Sequence, residues 1–470
     1  MNRSAVPRGA ARGAFDLGVI GAGLTFARSL DGLAAVLREG GPAGTAVVQA
    51  PPGTGKTTLV PPLVANLIAS TAVHRQGNSG RVVVTQPRRV AARAAARRLA
   101  ALDASCLGDR AGYTVRGESR TARGTVVEFV TPGILLRRLL ADPGLDGVAA
   151  VVLDEVHERG LETDLLLGML AEVRQLRGDL MLVAMSATLD APRFASLIGA
   201  SDGGGPAPVV DCPSALYPLA VEWAPAAGPR LDERGVARAF LDHLADTAAA
   251  AHVDAVARDP GVDALVFVPG AREVSYVAAR LRGRTGGTEV LQLHGQVDPA
   301  AQDRAVSGRG PGDAPRIIVS TALAESSLTV PGVRLVVDSG LAREPRRDAV
   351  RGMSGLVTVS CSRASAEQRA GRAARQGPGT VIRCYDQKTF AAAPAHATPE
   401  IAVADLTGAA LALSCWGAPR GAGLSLPDLP PEAALEEAVR VLHDLGAVDA
   451  DGRATGLGRT LARIPADPRL

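Results

Sequence analysis

The chain has 470 residues, 47% hydrophobic and 21% charged, so it is globular and long enough for two to four domains. Its net charge is only +3, so no overall basic field announces a nucleic-acid partner, and any basic surface must be local. Cys106, Cys212, Cys361, Cys384 and Cys415 form no CxxC pair, no apolar run reaches about 18 residues, and no cleavable leader opens the chain, so zinc, disulfides, a membrane span and a signal peptide are not expected and a reducing cytoplasm is.

In chain order, residues 1–29 read as an N-terminal extension with little structure of its own, ahead of a helical stretch from Leu30 to Leu37. Gly21-Ala22-Gly23 imitates the opening of a dinucleotide-binding turn, but the third glycine of that pattern falls on Phe26, so that reading is set aside. Thr45 to Ala50 then predicts a short buried strand, and Thr57 to Ile68 a helix whose second turn Pro61 and Pro62 disturb. Between them lie Ala50, Pro51, Pro52, Gly53, Thr54, Gly55, Lys56, Thr57 and Thr58. Lys56 is one of only two lysines in a chain that otherwise uses arginine. A compact ammonium can follow a moving γ-phosphate where a guanidinium fork is too large. Backbone amides to cradle phosphates, that lysine, and a hydroxyl for Mg²⁺ predict a nucleotide-phosphate loop. Ala50 stands where the pattern opens with glycine.

Strand–helix alternation follows twice. The first series has strands at 81–85, 126–130, 149–153 and 180–185, with helices at 90–102 and 133–140. A linker is expected at Ser201 to Pro208, and a second series runs through 264–268, 289–293, 316–320, 333–337 and 380–385. Two α/β domains with parallel sheets are implied, only the first carrying a phosphate loop, and helices dominate from about residue 387.

Chemistry collects at the strand ends. Asp154 and Glu155 close an apolar strand, where two acids are costly unless they meet a cation. The natural roles are Mg²⁺ binding for Asp154 and polarisation of the attacking water for Glu155. Ser186, Ala187 and Thr188 cap another strand and are placed to relay the state of Glu155 and His157. Gln368-Arg369-Ala370-Gly371-Arg372-Ala373-Ala374-Arg375, if helical, gathers guanidinium groups on adjoining stripes suited to an arginine finger. Arg88, Arg89, Arg116, Thr131 and Thr321 are candidate contacts to a phosphate–sugar backbone, with Arg89, Arg93 and Arg97 recurring every fourth residue and no acid from Gln86 to Leu102.

The ordered set APPGTGKTT, TQPRR, TPG, DEVHER, SAT, STALAESSLTVPGV and QRAGRAAR resembles the superfamily 2 DEAH-box helicases, most of all their bacterial HrpB-like branch. The resemblance implies two tandem RecA-like P-loop NTPase domains, at 30–203 and 204–386, and a small, mostly helical winged-helix region at 387–470. The family's further C-terminal domains are expected to be absent. It further implies ATP and Mg²⁺ as ligands, with Lys56, Thr57 and Thr58 on phosphates and metal, and Asp154 and Glu155 in metal binding and hydrolysis. His157, Ser186 and Thr188 would couple hydrolysis to movement, and Gln368, Arg372 and Arg375 would reach the γ-phosphate from the second domain. Ser320 to Val330 corresponds to the segment that touches nucleotide and nucleic acid, and Arg351 to Gly355 to the turn of a strand-separating hairpin. Valine in DEVH, Ser326 and Ala374 depart from the family pattern.

The function expected is an ATP-dependent helicase or translocase, on RNA rather than DNA, working as a cytoplasmic monomer. Two alternatives stay open: a nucleic-acid-stimulated NTPase that remodels ribonucleoproteins without processive unwinding, and a truncated nucleotide-binding product. A chain lacking the further domains is expected to hydrolyse ATP, respond weakly to RNA and unwind poorly.

Overall fold

A computed structural model of the chain describes residues 14–70, 80–187, 190–199, 205–212, 217–310, 312–325, 330–348 and 353–470. They form two compact units. The first comprises residues up to His157, Leu165–Pro213 and Leu424–Pro427; the second comprises Glu158–Asp164, Ser214–Gly423 and Asp428–Leu470.

The first unit is built on strands β1 (Thr45–Gln49), β2 (Arg81–Thr85), β3 (Ala111–Val115), β4 (Glu118–Arg120), β5 (Val127–Val130), β6 (Val148–Leu153), β7 (Met181–Ser186) and β8 (Val209–Asp211). They join in one sheet, ordered β4-β3-β5-β2-β6-β7-β1-β8, parallel except for the β3–β4 hairpin. Central strands are near-continuous valine runs such as Val82–Val84 because helices cover both faces. With aromatics scarce, Val, Leu and Ala fill the core.

Three expectations change here. Residues 14–29, ahead of Leu30, are structured: Phe15, Ile20 and Phe26 are buried in the first unit's core. Asn66 receives the Phe15 N–H (2.8 Å) and donates back to the Phe15 carbonyl (2.9 Å). Leu17–Ile20 is a short helix capped by the Asp16 carboxylate, so Gly21 and Gly23 follow a helical turn and not a strand. The first unit also extends beyond the boundary expected after residue 203, because β8 pairs with β1 and completes the sheet. Pro61 and Pro62 lie buried inside a helix that runs unbroken from Lys56 to Ser70.

The second unit carries β9 (Leu219–Trp223), the small β10 (Leu231–Asp232) and β11 (Gly235–Val236) pair, β12 (Asp263–Phe267), β13 (Glu289–Leu293), β14 (Arg316–Ser320), β15 (Val333–Asp338), the hairpin β16 (Leu341–Asp348) and β17 (Met353–Ser360), and β18 (Gly379–Arg383). Its main sheet, β13-β14-β12-β15-β18-β9, is parallel throughout. The hairpin is present, and its second strand already includes Met353. Met353, Ser354 and Gly355 are already paired with Asp348, Arg347 and Arg346, which corrects the turn expected at 351–355. Residues Arg351 and Gly352 lie outside the described residues. Helices at Gln387–Ala392, Glu400–Val403, Thr407–Trp416, Glu432–Asp444 and Gly456–Arg463 make up the C-terminal region.

Candidate active site

Parallel strands deliver their C-terminal ends to one edge of a sheet. In the first unit that edge divides by topology. The ends of β1, β7 and β6 carry the phosphate loop, Ser186 and the Asp154–Glu155 pair; the ends of β2, β5 and β3 carry Arg88–Arg89, Thr131 and Arg116.

The phosphate loop leaves β1 at Ala50, whose N–H is bonded to the Ser186 carbonyl of β7 (3.0 Å). Positive φ falls on Gly53 (86°) and Gly55 (97°), where glycine is needed, and not on Ala50, so alanine at the loop's opening costs no strain. A side chain on Gly55 would also strike Leu24, 2.8 Å from its Cβ position. The loop is further braced by the Thr54 carbonyl accepting from the Phe26 N–H (2.9 Å) and by Thr54 Oγ1 donating to the Pro51 carbonyl (2.9 Å).

Lys56 opens the following helix with its ammonium buried, 3.2 Å from Glu155 Oε2 and 3.4 Å from the Ala50 carbonyl. Thr57 Oγ1 donates to Asp154 Oδ2 (2.6 Å), and Gln86 Nε2 donates to the same oxygen (2.6 Å). Asp154 Oδ1 accepts from the Glu155 N–H (2.9 Å). Burial, then the adjacent Glu155 charge, push the Asp154 carboxyl up to about 7 against the pull of Lys56, Thr57 and Gln86. A divalent cation answers that cost. A hydroxyl and a buried carboxylate 2.6 Å apart form a hard-oxygen pair of the kind Mg²⁺ takes, so Thr57 and Asp154 fit the metal.

His157 Nδ1 accepts from the Ala187 N–H (3.2 Å) and lies 3.5 Å from Glu155 Oε2. Because the amide uses the Nδ1 lone pair, the ring carries its proton on Nε2. The loop after β7 thereby contacts the DEVH turn. Ser186, ending β7, is fully buried, and Thr188 lies outside the described residues.

Gln86 joins the cluster although the sequence assigned it no role of its own. Its signal was in the sheet: Thr85 pairs with Leu153, so the residues after β2 and β6, Gln86 and Asp154, become neighbours.

Along the other half of the edge, Arg89 and Arg116 are exposed, and Arg88 and Thr131 partly so. Thr131 precedes the helix Pro132–Ala141. The arginine stripe is less bare than its own helix implied, because Arg93 pairs with Glu118 of β4 (3.3 Å), which also accepts from the Tyr113 hydroxyl (2.6 Å).

In the second unit the QRAGRAAR segment is not one helix. The helix Arg363–Ala370 stops, and Arg372, Ala373 and Ala374 follow in a tighter turn with N–H groups reaching back three residues. The stripes expected of a continuous helix therefore do not form. Arg369, assigned no role from sequence, is 1% exposed; it donates to Glu325 (2.8 Å), Asp338 (2.9 Å) and the Leu341 carbonyl (3.0 Å). Arg372 Nε donates to the Glu325 carbonyl (2.8 Å). Gln368 and Arg375 are half-buried. Thr321 follows Ser320 at the end of β14 and donates its N–H to the Leu293 carbonyl (3.2 Å). Ser326 lies outside the described residues.

Residues 34–195 match the DEAD/DEAH box helicase family, 248–377 the helicase conserved C-terminal domain, and 438–466 the winged helix of the helicase associated domain (HA2). The chain is 36% identical over 426 residues to the ATP-dependent RNA helicase HrpB of Escherichia coli (strain K12), covering 90% of this chain and 49% of that protein. To the ATP-dependent RNA helicase HrpA of the same organism it is 34% identical over 434 residues, covering 90% of this chain and 31% of that protein. The crystal structure of the Escherichia coli DEAH/RHA helicase HrpB superposes with a TM-score of 0.81 at 34% identity, over 95% of this chain and 53% of that one. A second, of the E. coli DExH-box NTPase HrpB, gives 0.76 at 34% identity, over 95% and 52%. The chain thus spans about half the length of HrpB and less of HrpA. No helix among the described residues is long and apolar enough to cross a membrane. With the phosphate loop, the DEVH box and both helicase modules in their places, the chain belongs to the DEAH-box branch of the superfamily 2 helicases, among the HrpB-like proteins.

Proposed function

We propose that this chain is an ATP-dependent RNA helicase or translocase acting in the cytoplasm, and that the first unit's strand-end edge houses both its ATP chemistry and part of its RNA grip. The observation that carries this is the buried Lys56–Glu155 pair beside the Thr57–Asp154–Gln86 cluster. Without nucleotide, Lys56 neutralises Glu155. When phosphates enter the loop they compete for the ammonium, and Glu155 is released as a carboxylate able to orient and polarise water. His157, held by the Ala187 amide, stands beside the same Glu155 oxygen that Lys56 engages. Thr57 and Asp154 would hold Mg²⁺, which when bound shields phosphate charge. Gln86 ties Asp154 to the end of β2, next to Arg88 and Arg89, so a change at Asp154 is felt where the strand is gripped. Arg372 and Arg375 are the proposed cations on the developing γ-phosphate charge.

RNA is the proposed strand because the similar proteins are named RNA helicases. Hydroxyls and arginines, with no aromatic platform among the contact candidates, favour backbone contact over base reading.

Steady-state ATPase with and without poly-U RNA, followed by strand displacement, tests the proposal, with Lys56→Ala as the inactive control. RNA-stimulated hydrolysis with displacement supports it. Stimulated hydrolysis without displacement assigns remodelling instead, and hydrolysis no greater than in Lys56→Ala overturns it.

A further inference from the structure

We propose that Arg159 is a positioning residue that holds the DEVH turn in its working conformation on behalf of the C-terminal helical region; the inference rests on the ATPase reading above. The turn Val156–Glu158 is bracketed by two non-glycine residues in the left-handed region, Glu155 (φ 54°) and Arg159 (φ 53°). A side chain in that region strains the backbone, so the turn persists only where partners hold both ends.

Lys56 holds the Glu155 end. The Arg159 end is held by residues far away in sequence. Arg159 Nε donates to both oxygens of the fully buried Asp164 (3.2 Å each), and Nη2 donates to Asp164 Oδ2 (2.8 Å). The same Nη2 also donates to Asp428, 269 residues on. The backbone is caught too: the Arg159 carbonyl accepts from the Glu400 N–H (3.1 Å), and Glu400 Oε2 accepts from the Leu161 N–H (2.9 Å). Asp164 alone would satisfy the guanidinium fork. Glu400 adds a clamp on the main chain at Arg159 and Leu161, four and six residues beyond Glu155, Asp428 adds a second hold on the Arg159 side chain, and both come from the C-terminal region.

The two acids differ in kind. Asp164 is sealed, whereas the Asp428 side chain is 38% exposed and so open to competition from water or another cation. The clamp holds Arg159, two residues beyond the His157 that lies 3.5 Å from Glu155. Engagement of Asp428 and Glu400 sets the turn, and the turn sets where Glu155 points.

The full chain is compared as wild type, Arg159→Ala, Arg159→Lys, Asp428→Asn, Asp428→Glu and Glu400→Gln. Hydrogen exchange of the 154–163 segment, thermal melting, and kcat and KM for ATP are measured. Arg159→Ala is expected to speed exchange across 155–161 by at least about 10-fold and to lower kcat by about 10-fold, with KM for ATP within about 3-fold. Asp428→Asn and Glu400→Gln move both readouts the same way by about 3-fold without changing the melting temperature, and Asp428→Glu restores them. Arg159→Lys keeps one ion pair but cannot span both acids, so it melts like wild type yet retains the kcat defect. Unchanged exchange and kcat in Asp428→Asn and Glu400→Gln overturn the proposal, as does a kcat loss in Arg159→Ala that only follows its unfolded fraction. Should Arg159→Ala fail to fold, the Asp428 and Glu400 variants decide the question. Should the wild type not hydrolyse ATP, the ATPase reading fails while exchange across 155–161 still decides the clamp.

Discussion

Glu128 anchors the strand that presents Thr131, and replacing it with Gln gives a stability loss that can be worked from the structure. Its carboxylate is almost fully buried, with 1% side-chain exposure. It accepts from Arg138 through both oxygens (2.6 and 2.9 Å), from Arg81 (2.8 Å) and from the Thr114 hydroxyl (2.6 Å). Burial works to raise its pKa, yet Arg138, Thr114 and Arg81 together hold it at about 2 against an ordinary 4.5. A depression of some 2.5 pH units corresponds to about 3 kcal/mol in favour of the folded, ionised form. Because the folded pKa is the lower one, that contribution is complete above about pH 5 and fades as pH falls from the unfolded value toward 2. Glu128→Gln should therefore destabilise the first unit by about 3 kcal/mol at pH 7 and by little near pH 2.5. The assay is urea unfolding followed by circular dichroism at both pH values. Tryptophan fluorescence serves as an internal control, since Trp223 and Trp416 both belong to the second unit. A loss under about 1 kcal/mol at pH 7, or the same loss at both pH values, refutes the reasoning.

Four further outcomes are expected. Glu155→Gln should keep ATP binding, measured by equilibrium titration, while turnover falls at least about 10²-fold, because the amide fills the same space but cannot polarise water. Arg372→Ala should cut kcat by roughly 10³-fold with ATP affinity nearly intact, the scale of an arginine finger. Arg369→Ala should instead unfold the second unit more easily, by about 3–5 kcal/mol in a urea melt, because it strips Glu325 and Asp338 of a buried partner. Arg89→Ala and Arg116→Ala should weaken single-stranded RNA binding regardless of sequence and flatten the salt dependence by about 0.7 per lost phosphate contact, read by fluorescence anisotropy across a salt series.

Much of this protein was readable in one dimension because its chemistry is local in sequence. A valine run, two positive-φ glycines, a rare lysine and a hydroxyl make a phosphate loop wherever they fold, and paired acids ending an apolar strand need a cation. Strand positions were legible for the same reason: buried parallel strands are short apolar runs, and β2, β13 and β14 fall where those runs lie. What escaped was set by partners far away in the chain. β8 is too short to declare itself and exists because β1 offers it an edge. The segment Phe15–Ser29 looks unstructured alone, but it is ordered by packing on the phosphate loop and its helix. Gln86 joined Asp154 and Thr57 only through the register of β2 on β6, and Arg369 became a buried clamp only because Glu325 and Asp338 converge on it. The helical stripes drawn for QRAGRAAR failed where the helix tightened at Gly371, since a periodic face presumes a continuous helix. Local pattern marked the candidate groups; tertiary packing decided which groups hold them, because a buried charge takes its partner from whichever strand end the sheet brings beside it.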